Sequence, residues 1–166
     1  MCPSTRKTRT PRTLGTEPRY THPSVKLTNI LVPLAGTAID PDLIEYAIAL
    51  GRSHKAKITA VHVIEVKWNM PLDAVLDAEL ERGEEILALA EKVAEKLGAH
   101  LETEVLQARE AAAAIVDTAT EQKCELIVIG MPYRKRLGRV YVGRTVEDVY
   151  VKASCAVLAY RQEEPK

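Results

Sequence analysis

Residues 125–160 read ELIVIG (125–130), MPYRKRLGRVYVG (131–143), RTVEDVYVKASC (144–155) and AVLAY (156–160). Leu126, Ile127, Val128 and Ile129 form an unbroken apolar run, the mark of a parallel strand covered on both faces rather than an alternating, half-wet one. A turn follows at once, a short helix opens at Gly143, and Ala156 to Tyr160 closes the stretch as a further strand. Between Gly130 and Gly143 lie Arg134, Lys135, Arg136 and Arg139, with Arg144 just beyond and no acid to offset them. A ligand held at this loop is expected to be an anion.

Upstream, the same grammar repeats. Thr28 to Pro33 (TNILVP) is a short strand stopped by proline, and Leu34-Ala35-Gly36-Thr37 is the turn after it. Asp40-Pro41 starts a helix, with Asp40 as N-cap and Pro41 at the first helical position. Lys57 to Ile64 (KITAVHVI) is β-branched and nearly all apolar, as an interior strand requires. The spacing of Leu72, Val75, Leu76, Leu80, Leu87, Ala90, Ala94 and Leu97 predicts one long amphipathic helix over 72–97, ended by Gly98, with Gly83 a candidate bend or break. His100 to Gln107 alternates polar and apolar residues and reads as an edge strand. Glu110 to Gln122 is alanine-rich and helix-favouring. The order is βαβαβαβαβ, so the strands are mainly parallel with right-handed crossovers: a three-layer α/β sandwich with its ligand site at the carboxyl ends of the strands, where the strand order reverses.

Composition narrows the function classes. The chain has 166 residues, of which 46% are hydrophobic, and its 23 Lys plus Arg balance its 23 Asp plus Glu. There is no bulk charge to draw it to nucleic acid or membrane. No apolar run is long enough to span a bilayer and no secretory leader is evident, so the expected location is the cytoplasm. Cys2, Cys124 and Cys155 are odd in number and lie in no CxxC or Cys/His cluster, which argues against structural zinc and a disulfide framework. Cys124 and Cys155 read as small buried hydrophobes, and His62, inside its strand, as a packed, hydrogen-bonded residue rather than a metal ligand. Glu147 and Asp148 fall in the first turn of the last helix, where they complement its dipole. No catalytic constellation and no metal site is expected. Residues 1–24, with Arg6, Lys7, Arg9, Arg12 and Arg19 against Glu17, read as a flexible basic tail, residues 25–161 as the domain, and 162–166 as a C-terminal tail.

The ILVP strand and its turn, the strand end at His62 to Glu65, ELIVIG, the glycine loop and the closing AVLAY follow the order and spacing of the universal stress protein family, which the chain resembles over Thr28 to about Arg161. The resemblance implies a five-stranded, flavodoxin-like sheet related to the adenine nucleotide alpha hydrolases. It also implies a homodimer built by pairing the last strands, here Ala156 to Tyr160. Nucleotide-binding members resemble one another at a loop of the form G-x2-G-x9-G-S/T, whose amides and hydroxyl hold the phosphates of ATP. Gly130 and Gly143 match the outer glycines; Tyr133 stands at the middle glycine and Arg144 at the hydroxyl. Ala35 takes the place of an aspartate that contacts the nucleoside in such members.

These departures have physical meaning. Tyr133 cannot give the backbone the freedom of glycine, and its ring fills space. Losing a carboxylate at Ala35 removes an acceptor for a ribose hydroxyl. Arg144, at a helix N-terminus, strengthens an anion site, and Thr145 offers a hydroxyl one position on. The expected site is Pro33, Leu34 and Ala35 on the first turn, Val63 and Ile64 on the base side, and Ile129, Gly130, Tyr133, Gly143, Arg144 and Thr145 on the phosphate side. The leading reading is a non-enzymatic regulatory dimer whose degenerate crevice takes an adenine nucleotide, ATP or AMP, or another anion. The alternative is a ligand-free dimeric module of the same fold that acts on protein partners.

Overall fold

The first strand, β1 (Asn29–Pro33), lies in the middle of the sheet because its residues are apolar on both sides: Ile30, Leu31 and Val32 are each fully buried. The protein was analysed as a computed structural model, which describes residues 25–132, 135–136 and 139–161, with the backbone alone at 135, 136, 139 and 140. The tails at 1–24 and 162–166, and Tyr133, lie outside the described residues. After β1 come α1 (Asp40–Arg52), β2 (Lys57–Glu65), α2 (Asp77–Lys96), β3 (Glu102–Ala108), α3 (Ala111–Glu121) and β4 (Leu126–Met131). Two short strands, β5 (Lys135–Arg136) and β6 (Arg139–Val140), are followed by α4 (Arg144–Lys152) and β7 (Ala156–Arg161).

The main sheet has five strands in the order β3-β2-β1-β4-β7, all pairs parallel. The expected five-stranded α/β sandwich is therefore observed, with β3 at an edge as its alternating pattern implied. Alternation along the strands builds two cores. Ile30, Val32, Ile58, Ala60, Leu126 and Val128 face Leu43, Ile44, Ala47, Leu87 and Ala90 of α1 and α2. Leu31, Val61, Ile127 and Ile129 face Ile115 and Ala119 of α3 and Val146 and Val149 of α4. Burying both faces of each central strand is what the continuous apolar runs required.

Four local expectations are corrected. The apolar spacing that suggested a helix from Leu72 starts it too early: α2 begins at Asp77, and Leu72 and Val75 are 48% and 82% exposed. They meet no core, and the segment is held as a loop by side chains from the end of β3. Gly83 does not break α2, which runs from Asp77 to Lys96. It lets the helix pack closely on the sheet, since a Cβ there would stand 2.8 Å from His62 Cδ2. Asp40 does not cap α1, which starts at Asp40 itself without a side-chain cap. Its carboxylate turns back into the preceding turn, as described below. The segment 131–143 also contains the two-residue antiparallel pair β5–β6, where a plain loop was expected.

Candidate functional site

β1 and β4 part company at their carboxyl ends. They pair only at Ile30 with Leu126 and Leu31 with Ile127. Beyond that, β1 stays with β2 as far as Pro33 opposite Val61, while β4 stays with β7 as far as Met131 opposite Arg161. Between them opens a cleft of about 490 Å³, at the point where the chain order along the sheet reverses. Its size suits a small-molecule ligand.

The first wall is the β1–α1 turn. Gly36 adopts φ +74°, a conformation L side chains rarely take. The Gly36 N–H donates to Asp40 Oδ2 at 2.8 Å, and the Thr37 hydroxyl donates to Asp40 Oδ1. Asp40 is 9% exposed, so a carboxylate is held deep in the cleft wall by two donors of its own turn. Pro33, Leu34 and Ala35 line the cleft as expected, and so do Thr37 and Asp40, which were not among the expected residues.

The second wall is β2. Val63 lines the cleft, but Ile64, its neighbour, is buried in the sheet and does not. His62 also lines it, with Nδ1–H donating to the Leu34 carbonyl at 2.9 Å. This fits the reading of a packed, hydrogen-bonded histidine. Glu65, at the strand end, accepts the Ala111 N–H on Oε1 at 2.9 Å and so sits on the N-terminus of α3.

The third wall combines Ile129, Gly130, Gly143, Arg144 and Thr145, all at expected positions. Gly130 has a packing reason beside any ligand role: a Cβ there would stand 2.8 Å from Leu43 Cδ1 and 2.9 Å from Ile39 Cδ1. Gly143 is the N-cap of α4 with φ −68°, and no side chain among the described residues caps that helix. The first intrahelical bonds run from the Val146 and Glu147 N–H groups to the Gly143 carbonyl at 3.0 and 3.1 Å. The N–H groups of Arg144 and Thr145 precede them, as the orphan donors of any helix start do. The Arg144 side chain is 89% exposed, with Nε 3.6 Å from Asp148 Oδ2. Asp148 also meets Lys152 Nζ at 3.5 Å, so its role lies in these pairs along α4 rather than in the first turn, where Glu147 stands.

A sequence model of the universal stress protein family matches residues 26–161. The chain belongs to the universal stress protein family. A universal stress protein of Methanocaldococcus jannaschii is 30% identical over 139 residues, 80% of this chain and 81% of its own. Among solved structures, a universal stress protein of Lactobacillus plantarum matches at 29% identity with a TM-score of 0.69, over 82% of this chain and 99% of that one. The universal stress protein of Archaeoglobus fulgidus in complex with dAMP matches in fold, with a TM-score of 0.64 at 23% identity over 81% and 98% of the two chains.

Set beside the universal stress protein pattern, the described cleft is not basic. Its charged lining is Asp40, Glu65 and Arg144. The cations at Arg134, Lys135, Arg136 and Arg139 belong to the 133–140 segment, whose side chains lie outside the described residues. Arg109, beside the cleft, is spent on structure: Nη1 donates to the Val66 carbonyl at 3.3 Å and the Lys67 carbonyl at 2.5 Å, and Nη2 to that of Met70 at 2.8 Å. Its guanidinium also lies 5.3 Å from the ring centre of Trp68. Among the described residues no group of three or more His, Cys, Asp or Glu converges as a metal site would need. None of their helices is long and apolar enough to cross a membrane.

Proposed function

We propose that the chain is a regulatory universal stress protein domain without catalytic activity, and that its cleft binds an adenine nucleotide. The observation that carries this reading is the uncapped N-terminus of α4, Gly143 to Thr145, opening into a cleft with apolar walls and a buried carboxylate. Free helix-start amides and the helix dipole favour a phosphate at that end. Val63, Ile115 and Ile129 supply apolar surface for a base. The Asp40 carboxylate is a hydrogen-bond acceptor on the cleft wall, so ribose hydroxyls belong on its side. The relative solved with dAMP supports the ligand class. In this reading Arg144 reinforces the phosphate end only by leaving Asp148, and Ala35 leaves the acceptor role to Asp40.

Calorimetric titration with AMP, ATP and cyclic AMP tests it, alongside Arg144→Ala and Thr145→Ala. AMP is expected to bind and both variants to weaken it. The absence of any adenine nucleotide binding at millimolar concentration overturns the reading; binding indifferent to both substitutions moves the site elsewhere.

A second reading rests on β7. Its outer side has no neighbouring strand among the described residues. Beside it stand the exposed Tyr46, 4.9 Å ring to ring from Tyr160, and on α4 the exposed Tyr150 and Val151. An open strand edge flanked by apolar side chains suits pairing with a second copy or a protein partner. Sedimentation of Tyr150→Glu/Val151→Glu against the wild type decides it: a homodimer through Ala156 to Tyr160 is expected to loosen, and an unchanged dimer rules this face out.

A further inference from the structure

Two helix N-termini meet the cleft, and they are treated differently. That of α4 has no side-chain cap among the described residues. That of α3, whose only other candidate cap, Glu110, makes no side-chain bond to it, already holds the Glu65 carboxylate on the Ala111 N–H. Glu65, Ala111, Arg144 and Thr145 line the cleft and also an adjoining hollow of about 380 Å³, completed by Trp68, Arg109, Glu110 and Asp148. A ligand chain leaving the α4 end for the α3 side passes these residues.

We propose that Glu65 sets an upper limit on the charge of the ligand, so that the cleft takes a nucleoside monophosphate in preference to a polyphosphate. The inference rests on the nucleotide reading given above. A terminal phosphate at Arg144 and Thr145 meets orphan amides and a positive dipole end. Added phosphates enter the adjoining hollow, where the anion position at α3 is filled by Glu65 and where Glu110 and Asp148 also stand. The hollow's two cations among the described residues do not relieve this. Arg109 is bonded to three carbonyls and Arg144 is drawn to Asp148. Among the described residues no Lys or Arg pairs with Glu65. Like charges brought together in this hollow repel, and more strongly at low salt than at high.

The test is Glu65→Gln, which removes the charge and keeps a side-chain oxygen to accept the Ala111 N–H; an unchanged melting temperature and circular dichroism spectrum show that the fold is kept. AMP, ATP and inorganic tripolyphosphate are titrated into both proteins at low and high salt. The wild type is expected to prefer AMP to ATP. Glu65→Gln is expected to tighten ATP and tripolyphosphate by about fivefold at low salt, less at high salt, with AMP changed by less than about twofold. An ATP-to-AMP ratio that does not move overturns the inference while leaving the nucleotide reading intact, and so does a wild type that prefers ATP. If no probe binds either protein, the nucleotide reading falls first and this inference with it.

Discussion

Glu125 Oε2 accepts the backbone N–H of Asn29 at 2.7 Å and that of Thr28 at 3.0 Å, while Oε1 accepts the Thr28 hydroxyl. One side chain at the start of β4 thus fastens the start of β1, ninety-six residues away in sequence from Asn29. The Thr28 hydroxyl first, and the Asn29 amide after it, hold this carboxyl below the usual carboxylate range. A lowered pKa in the folded state means stabilisation that is present above the unfolded value of about 4.5 and lost as pH falls through the folded one. Glu125→Gln is expected to lower Tm at pH 7 and to match the wild type progressively better in acid. A Tm difference that stays constant between pH 7 and 3 contradicts this.

Gly83→Ala sets two effects against each other. Alanine improves helix propensity by about 1 kcal/mol. The added methyl meets the His62 ring, which cannot withdraw freely because Nδ1–H is bonded to the Leu34 carbonyl, and such overpacking costs about 1–3 kcal/mol. The clash is expected to win, with a net loss of about 1 kcal/mol in urea unfolding. In a His62→Ala background the same substitution should stabilise; equal effects in both backgrounds would remove His62 from the explanation.

Burial, and after it Cys155, pushes the Cys124 thiol up to about 11, and burial raises Cys155 less. On a Cys2→Ser background, alkylation at pH 8 is expected to reach Cys155 before Cys124, and Cys124 only on unfolding. Because the Cys124 pKa is raised in the folded state, its contribution is complete below about pH 9 and lost as pH climbs towards 11. Equal alkylation rates for the two thiols in the folded protein would count against the buried placement.

Arg109→Ala releases three carbonyls of the segment between β2 and α2. The single tryptophan, Trp68, reports on it. Greater acrylamide quenching and faster tryptic cleavage at Lys67 are expected with little change in the global unfolding midpoint, since this loop packs few buried side chains. Unchanged quenching and cleavage would show that the loop holds itself.

The sheet was legible because ILVP, KITAVHVI and ELIVIG carry their burial in their own composition. The location of the cleft was legible too, since Gly130, Gly143, Arg144 and Thr145, expected there, do line it. What escaped depends on partners distant in sequence. That Val63 lines the cleft while Ile64 is buried depends on what packs around the end of β2, which its own composition does not carry. Leu72 and Val75 mimic helical spacing, yet no apolar surface lies beneath them. Asp40 followed by proline has the form of a helix cap, and only the positive-φ turn at Gly36 turns its carboxylate backwards. The seat of Glu65 on Ala111 joins residues forty-six positions apart, for which no local pattern exists.

α4 is a rigid rod about 13 Å long, at 1.5 Å per residue. It starts on the cleft wall at Gly143 and feeds, after Ala153 to Cys155, into the edge strand β7. Val149, fully buried at its middle, fixes it as a single body. One helix thus carries both a wall residue of the cleft at its start and the lead-in to the strand edge at its end.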